Sequence, residues 1–315
     1  MRAVTIRDGA LGVEDHPDPE PGAGEILVRV AGAGLNGADM LQRKGAYPAP
    51  PGSPPDIPGL ELAGEVIGRG PGAERFEEGD AVMAILGGGG QAELAVLHER
   101  AAMPVPDGLD PIAAGAAAEV FTTAHDALFT QARLRPGERL LVHGGAGGVG
   151  TAAVQLGRVA GARVTATVRN EELRSGVEAL GAEAIDPEGF ADHGPFDVVL
   201  ELVGAPNISD DLKSLATAGR IVVIGVGAGS KAEVNLLALM GKRATLRAST
   251  LRARPLEEKA LAMRTVEREV LPHFESGALK VPVAETFGLD EVEAAYDRFA
   301  AGGKLGKIVL AIGER

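Results

Sequence analysis

Five of the ten residues from His143 to Ala152, HGGAGGVGTA, are glycine. Backbone without Cβ atoms can lie close against a pyrophosphate, and a helix that starts there aims unpaired N–H groups at the anion. Gly145, Gly147 and Gly150 satisfy G-x-G-x-x-G, with Gly144, Gly148 and Val149 as the neighbouring phosphate-facing backbone. In a chain with 45 glycines a flexible turn could read the same way, so the flanks decide. An apolar run, Leu140 to Val142, precedes the motif, and Val149, Ala152, Ala153, Leu156 and Ala160 follow at the spacing of one helical face. This strand–turn–helix context assigns the glycines to a dinucleotide.

The choice of dinucleotide rests on the next strand, RVTATV (163–168). An NAD site places an acid on the ribose 2′-OH about 20 residues past the glycines. Arg169 and Asn170 stand there instead, followed by Glu171 and Glu172. A guanidinium pairs with a 2′-phosphate in fork geometry, which points to NADPH. The alternative is that Arg169 is a solvated loop charge and one of the glutamates is the ribose acid.

Composition removes other chemistries. The 315 residues contain no cysteine, which excludes disulfides, thiolate zinc sites and a cysteine nucleophile. A formal charge of −13 disfavours nucleic acid and anionic membranes as partners, because neutralising phosphates needs an excess of Lys and Arg. No apolar run spans a bilayer, and the first residues alternate like a strand without the apolar core of a signal peptide, so a cytoplasmic protein is expected.

The elements that must position these residues fall into two textures. Residues 1–112 are rich in Pro and Gly and carry short strand-like runs, AVTIR (3–7), EILVRVAGAG (25–34), ELAGEVIG (61–68) and GDAVMAI (79–85), the pattern of an irregular β unit. Between them, YPAPPGSPPDIPG (47–59) is too proline-dense for helix or central strand and reads as a surface loop or lid. Residues 113–251 alternate strand and helix signals around six strand candidates: 139–144, 163–168, 183–186, 197–204, 220–227 and 244–250. That predicts an α/β, doubly wound parallel sheet. Gly204 and Gly225 end the fourth and fifth strands, on the side where such sheets bind ligands, and are candidate cofactor contacts. Residues 252–315, two helical stretches and a strand, are too short for a third domain and are expected to rejoin the first.

Several stretches together resemble the zinc-free medium-chain dehydrogenases/reductases of the quinone oxidoreductase branch: GLNGADMLQRKGAYPAPPG (34–52), PGLELAGEV (58–66), VFTTAHDAL (120–128), 141–164 and GKIVL (306–310). The resemblance implies a GroES-like, mainly β substrate domain built from both chain ends, a Rossmann domain between them and an active site in the cleft. Zinc-dependent relatives have Cys near the position of Asn36 and Gly-His-Glu where this chain has Gly59, Leu60 and Glu61, so no metal site is expected. The resemblance further implies that Asn36 and Tyr47 line the catalytic pocket. Asn36 could orient acceptor or cofactor through its amide, or merely form a loop-end turn; Tyr47 could donate to a carbonyl, stack on a planar ring, or pack among prolines. Thr122 and Thr123 resemble contacts to the nicotinamide end, with a hydroxyl bonded to its own helix as the alternative. Lys307 resembles a cofactor-facing lysine, or is a solvated charge. His143 and His125 are read as structural.

The expected activity is NADPH-dependent hydride transfer to a quinone without a metal. Its rival is reduction of an enone or enoyl-CoA double bond, and a nucleotide-regulated binding or crystallin-like role is a third reading. A homodimer is expected through the sixth strand, ATLRAST (244–250), whose unpaired edge a two-fold mate would satisfy.

Overall fold

The computed structural model describes residues 1–313. They divide into two compact units. The first comprises Met1–Thr122, Leu251–Gly302 and the chain from Lys307 onward, the second Thr123–Thr250 with Gly303–Gly306. The first crossing thus lies inside a helix rather than at 112/113. The excursion at Gly303–Gly306 has a local cause, because Gly306 N–H donates to Ala146 C=O and Gly306 bridges Gly147.

The first unit opens with β1 (Arg2–Arg7), β2 (Ala10–Asp15), β3 (Glu25–Gly34), β4 (Glu61–Arg69), β5 (Ala81–Ile85), β6 (Leu94–His98) and β7 (Ala102–Pro104). The second holds β8 (Arg139–Val142), β9 (Arg163–Thr167), β10 (Glu183–Ile185), β11 (Phe196–Glu201), β12 (Leu215–Val223) and β13 (Thr245–Ala248). On its return the chain adds β14 (Val283–Gly288) and β15 (Lys307–Ala311) to the first. Among the helices are α1 (Gly37–Arg43), α2 (Pro111–Ala114), α3 (Ala118–His125), α4 (Gly148–Val159), α5 (Arg174–Glu178), α6 (Ile208–Ser214), α7 (Leu236–Lys242), α8 (Leu256–Glu269), α9 (Leu271–Glu275) and α10 (Val292–Ala301).

In the first unit β3 buries Ile26, Val28 and Val30 on alternate positions, as a half-covered strand requires. Around it runs the sheet β14-β15-β3-β4-β5-β7, with β6 also on β3, while β1 and β2 form a separate hairpin. The returning chain completes this unit's core. Leu289, Val292, Ala295, Tyr296, Ile308 and Leu310 pack with Val4, Leu11 and Leu35 in one cluster. Residues 47–59 form no regular element.

The second unit's sheet has the order β10-β9-β8-β11-β12-β13, every pair parallel. Strand order reverses between β8 and β11, which makes the ends of these two strands the ligand-binding crevice of such a sheet. The arrangement is a Rossmann doubly wound sheet, with a GroES-like sheet in the other unit. One expectation fails locally: α4 is not buried on a single face but at every position from Gly150 to Gly157. Its polar side chains are satisfied inside the helix, Thr151 Oγ1 donating to Gly148 C=O and Gln155 Nε2 to Thr151 C=O.

Candidate active site

In the second unit the glycine loop leaves β8 through His143 and starts α4 at Gly148, with Gly147 as an N-cap that has no side chain. The first N–H groups of this twelve-residue helix have no partner within it. A Cβ on Gly150 would lie 2.2 Å from Gly144 O, and one on Gly145 2.7 Å from the Ala166 Cβ, so bare backbone lets the loop fold this tightly. Gly204 and Gly225 are closed in the same way, their Cβ atoms falling 2.5 Å from Gly229 O and 2.3 Å from Leu202 O. These contacts leave no room for side chains at four glycines around the crevice, so the loop there is closely packed bare backbone. Arg169 is exposed just past the end of β9, its guanidinium without a partner among the described residues, and Glu171 and Glu172 are exposed in the next turn. Asn170 is committed locally, its Oδ1 accepting the Glu172 N–H at 3.1 Å.

Beneath the glycine loop lies a buried cluster not anticipated from sequence. His143 Nε2 is 2.7 Å from Asp211 Oδ1 and its Nδ1 3.1 Å from Thr167 Oγ1. Glu201 accepts N–H bonds from Val203 and Gly204 and one from Asn207 Nδ2, so it pins the turn after β11. Burial lowers the His143 pKa and raises that of Glu201, and it pushes Asp211 up to about 7. Asp211 Oδ2 has no hydrogen-bond partner among the described residues. His143 is therefore neutral and structural, holding β8, β9 and α6 together; His125 is buried against Phe129. Glu201 in the otherwise apolar run VVLELVG (198–204) was the available signal, since a lone charge inside a covered strand needs a buried partner.

The first unit gathers a second polar site. Lys307 Nζ donates to Leu35 C=O at 2.6 Å, Asn36 Oδ1 at 2.7 Å and Glu61 Oε1 at 2.7 Å. Asn36 Nδ2 donates to Glu61 Oε1 at 2.9 Å and Gly34 C=O at 3.2 Å, and Glu119 N–H caps Glu61 Oε2 at 2.9 Å. Lys307 and Glu61 are 3 % and 0 % exposed. Two expectations change here. Lys307 is neither solvated nor turned to a ligand, because all three of its donors are taken. The Asn36 amide is likewise spent, on Lys307, Glu61 and Gly34, and cannot orient an acceptor without breaking those bonds. Asn36 also begins α1, where its N–H donates to Asp39 Oδ2 at 2.8 Å. Asp39, fully buried, is pushed up to about 6 by desolvation despite N–H bonds from Asn36 and Gly59.

Tyr47 is half-buried, its ring lying under the Arg252 guanidinium at 5.1 Å. Arg252 is buried and holds three segments, donating to Gly87 C=O, Tyr47 C=O and Gln42 Oε1. The Tyr47 hydroxyl has no partner among the described residues, and burial raises its pKa, so it stays a neutral O–H donor. Thr122 departs from the expected nicotinamide contact. It is fully buried and its hydroxyl faces Met263 Sδ at 3.6 Å. Thr123 is half-buried on the next helical position.

A Rossmann unit with a glycine cradle, joined in one chain to a GroES-like unit carrying a buried polar site, defines a nicotinamide-dependent oxidoreductase architecture. Residues 22–107 match the family model for an alcohol dehydrogenase GroES-like domain, and residues 180–310 that for a zinc-binding dehydrogenase. The chain is 30 % identical over 306 residues to the quinone oxidoreductase of Rattus norvegicus, covering 93 % of this chain and 91 % of that protein. It is 33 % identical to a quinone oxidoreductase-like protein 2 homolog of Nematostella vectensis, covering 95 % and 85 %. Among solved structures, an NAD-dependent alcohol dehydrogenase superposes with a TM-score of 0.87 at 29 % identity, covering 99 % of this chain and 100 % of the other. CurK enoyl reductase does so with 0.85 at 25 %, covering 99 % of each. The chain belongs to the medium-chain dehydrogenase/reductase family, in its quinone oxidoreductase branch.

Proposed function

We propose that the protein is an NADPH-dependent, metal-independent reductase of a planar conjugated carbonyl, with a quinone as the leading acceptor. The observation that carries this reading is the Asn36–Glu61–Lys307 network. At the positions where zinc-dependent relatives hold the metal, this chain offers an amide, the alkyl side chain of Leu60 and a carboxylate whose two oxygens are engaged by Lys307, Asn36 and the Glu119 N–H. That donor set does not suit zinc, despite the name of the matched family model, and no step is routed through a metal.

A bound nicotinamide coenzyme supplies the hydride. The chain contributes the cradle for its phosphates at Gly144–Gly150 and, in Arg169, a free guanidinium suited to a 2′-phosphate. In the first unit the Tyr47 hydroxyl, neutral and unpartnered, is available to hold an acceptor's carbonyl oxygen, while Arg252 fixes the ring from behind. Kinship with quinone oxidoreductases favours a quinone; likeness to CurK enoyl reductase supports an enone or enoyl thioester as the second reading. Steady-state oxidation of NADPH and NADH against ortho- and para-quinones, alkenals and enoyl-CoAs tests both, and turnover with no acceptor would leave only a binding role.

A homodimer remains part of the proposal. β13 is an edge strand exposed along its length, and nearby α7 exposes Leu236, Leu237 and Met240. Apolar side chains and unpaired strand edge together are what a two-fold mate would cover.

A further inference from the structure

Residues 47–59 contain six prolines, which have no N–H to donate, so this loop cannot be held by a ladder of its own. It is held from outside. Gly89 N–H donates to Ile57 C=O at 2.9 Å, Gln91 N–H to Pro58 C=O at 3.0 Å, Ile6 N–H to Asp56 C=O at 2.8 Å and Gln42 Nε2 to Pro55 C=O at 3.3 Å. These bonds fix the second half of the loop. The half that begins at Tyr47 has one turn of its own, Ser53 N–H to Pro50 C=O at 3.1 Å, and two further holds that meet at Gly87.

Gly87 is buried in the run LGGGGQ (86–91). A Cβ on it would lie 2.1 Å from Ser53 Oγ, 2.7 Å from Pro50 Cγ and 3.2 Å from Ser53 Cβ, so the loop seats directly on its Cα. Its φ lies outside the left-handed region, so a side chain is excluded by the loop and not by the backbone. The second hold is polar. Gly87 C=O accepts Arg252 Nε at 2.8 Å, while the same guanidinium donates to Tyr47 C=O at 2.9 Å and lies 5.1 Å from the centre of the Tyr47 ring. Arg252 is 3 % exposed, so its place follows that of the oxygens it serves. Tyr47 is thus located through Pro50 and Ser53 on one path and through Arg252 on another, and both paths end on one glycine.

Resting on the reductase reading above, we infer that Gly87 is a positioning residue for the acceptor: it sets where the Tyr47 hydroxyl stands and makes 47–59 a preformed wall rather than a lid that closes. The acceptor meets Tyr47 already in place. How closely the loop seats on Gly87 decides the position of the phenol, and any side chain at 87 lifts the Tyr47 half of the loop away from Arg252. A donor displaced in this way no longer lines up with a carbonyl oxygen, although the coenzyme's own contacts in the second unit are untouched.

The test substitutes Gly87 by Ala and by Val in the full chain and reads Tyr47 directly by acrylamide quenching of tyrosine fluorescence without coenzyme. There is no tryptophan, and of the two tyrosines Tyr296 is wholly buried, so the quenched emission is that of Tyr47. Both variants are expected to make Tyr47 easier to quench. In kinetics, kcat/KM for the acceptor is expected to fall about ten-fold in Gly87→Ala and about a hundred-fold in Gly87→Val, the scale of an ångström's misplacement, with the NADPH dissociation constant, read from coenzyme fluorescence, unchanged. Adding Pro50→Ala and Ser53→Gly to Gly87→Ala removes the atoms that the new Cβ meets and is expected to restore most of both readouts. Wild-type quenching and kcat/KM in Gly87→Val, a loss of coenzyme affinity as large as the loss for the acceptor, or no rescue by the loop substitutions overturns the inference. If Gly87→Val does not fold, Gly87→Ala and its rescue carry the test. Because quenching needs no turnover, a rescuable change in a protein that reduces neither quinones nor enones upholds the positioning of Tyr47 while refuting the acceptor assignment.

Discussion

Replacing Lys307 by Met removes the one cation that pairs with Glu61 among the described residues. The ammonium makes three bonds of 2.6–2.7 Å, and its carboxylate partner, Glu61, is wholly buried. Without Lys307, Glu61 keeps only N–H partners from Asn36 and Glu119 against the cost of a buried charge. Breaking one side of such a pair costs about 3–5 kcal/mol, whereas replacing both sides with neutral groups costs far less. Lys307→Met is therefore expected to destabilise the first unit by that amount, and Glu61→Gln/Lys307→Met to recover about half of the loss. The readout is built into the chain. There is no tryptophan, and the two tyrosines, Tyr47 and Tyr296, both lie in the first unit, so tyrosine fluorescence during urea unfolding follows that unit alone. A loss below about 1 kcal/mol in the single variant, or a double variant as unstable as the single, refutes the claim that this ion pair holds the site.

Asp211→Asn tests the buried cluster of the second unit. The folded-state pKa of Asp211, raised from 3.8 to about 7, means its contribution to stability is full below about pH 4 and lost as pH rises toward 7. Asn keeps a donor on the Oδ2 side at all pH values, so its stability relative to wild type is expected to grow by several kcal/mol between pH 4 and pH 8, measured by urea unfolding with circular dichroism; a difference that does not vary with pH refutes it. Arg169→Ala is expected to weaken NADPH about ten- to a hundred-fold in kcat/KM with NADH nearly unchanged, at fixed ionic strength, and equal losses would make Arg169 structural. Leu237→Glu on α7 is expected to shift a dimer toward monomer in light scattering; wild type that is monomeric at micromolar concentration removes the dimer.

The glycine loop was legible because phosphate binding imposes a short local pattern, five glycines between an apolar strand and a helix. β3 was legible to its end residues because Ile26, Val28 and Val30 alternate cleanly. β6, β7 and β14 were not: they are three to six residues long, and β14, VAETFG, leaves none of its positions fully buried. The polar sites were the least readable, since each joins residues far apart in the chain. Glu61 meets Lys307, Gln42 meets Arg252, and His143 meets Asp211, and no periodicity reports such meetings. Sequence could nominate Asn36 as an amide in a pocket. Only its surroundings reveal that the amide is already spent, on Lys307, Glu61 and Gly34.

The central claim is hydride transfer from NADPH to a conjugated carbonyl without a metal. It is tested most directly by a single-turnover experiment in chelator, with excess enzyme, one quinone and NADPH carrying deuterium at the transferred position, followed through the coenzyme absorbance. Coenzyme oxidation is expected at the same rate with and without chelator, slowed by a primary isotope effect. Oxidation that stops in chelator and returns with zinc, or that never occurs with any quinone or enone, would contradict it.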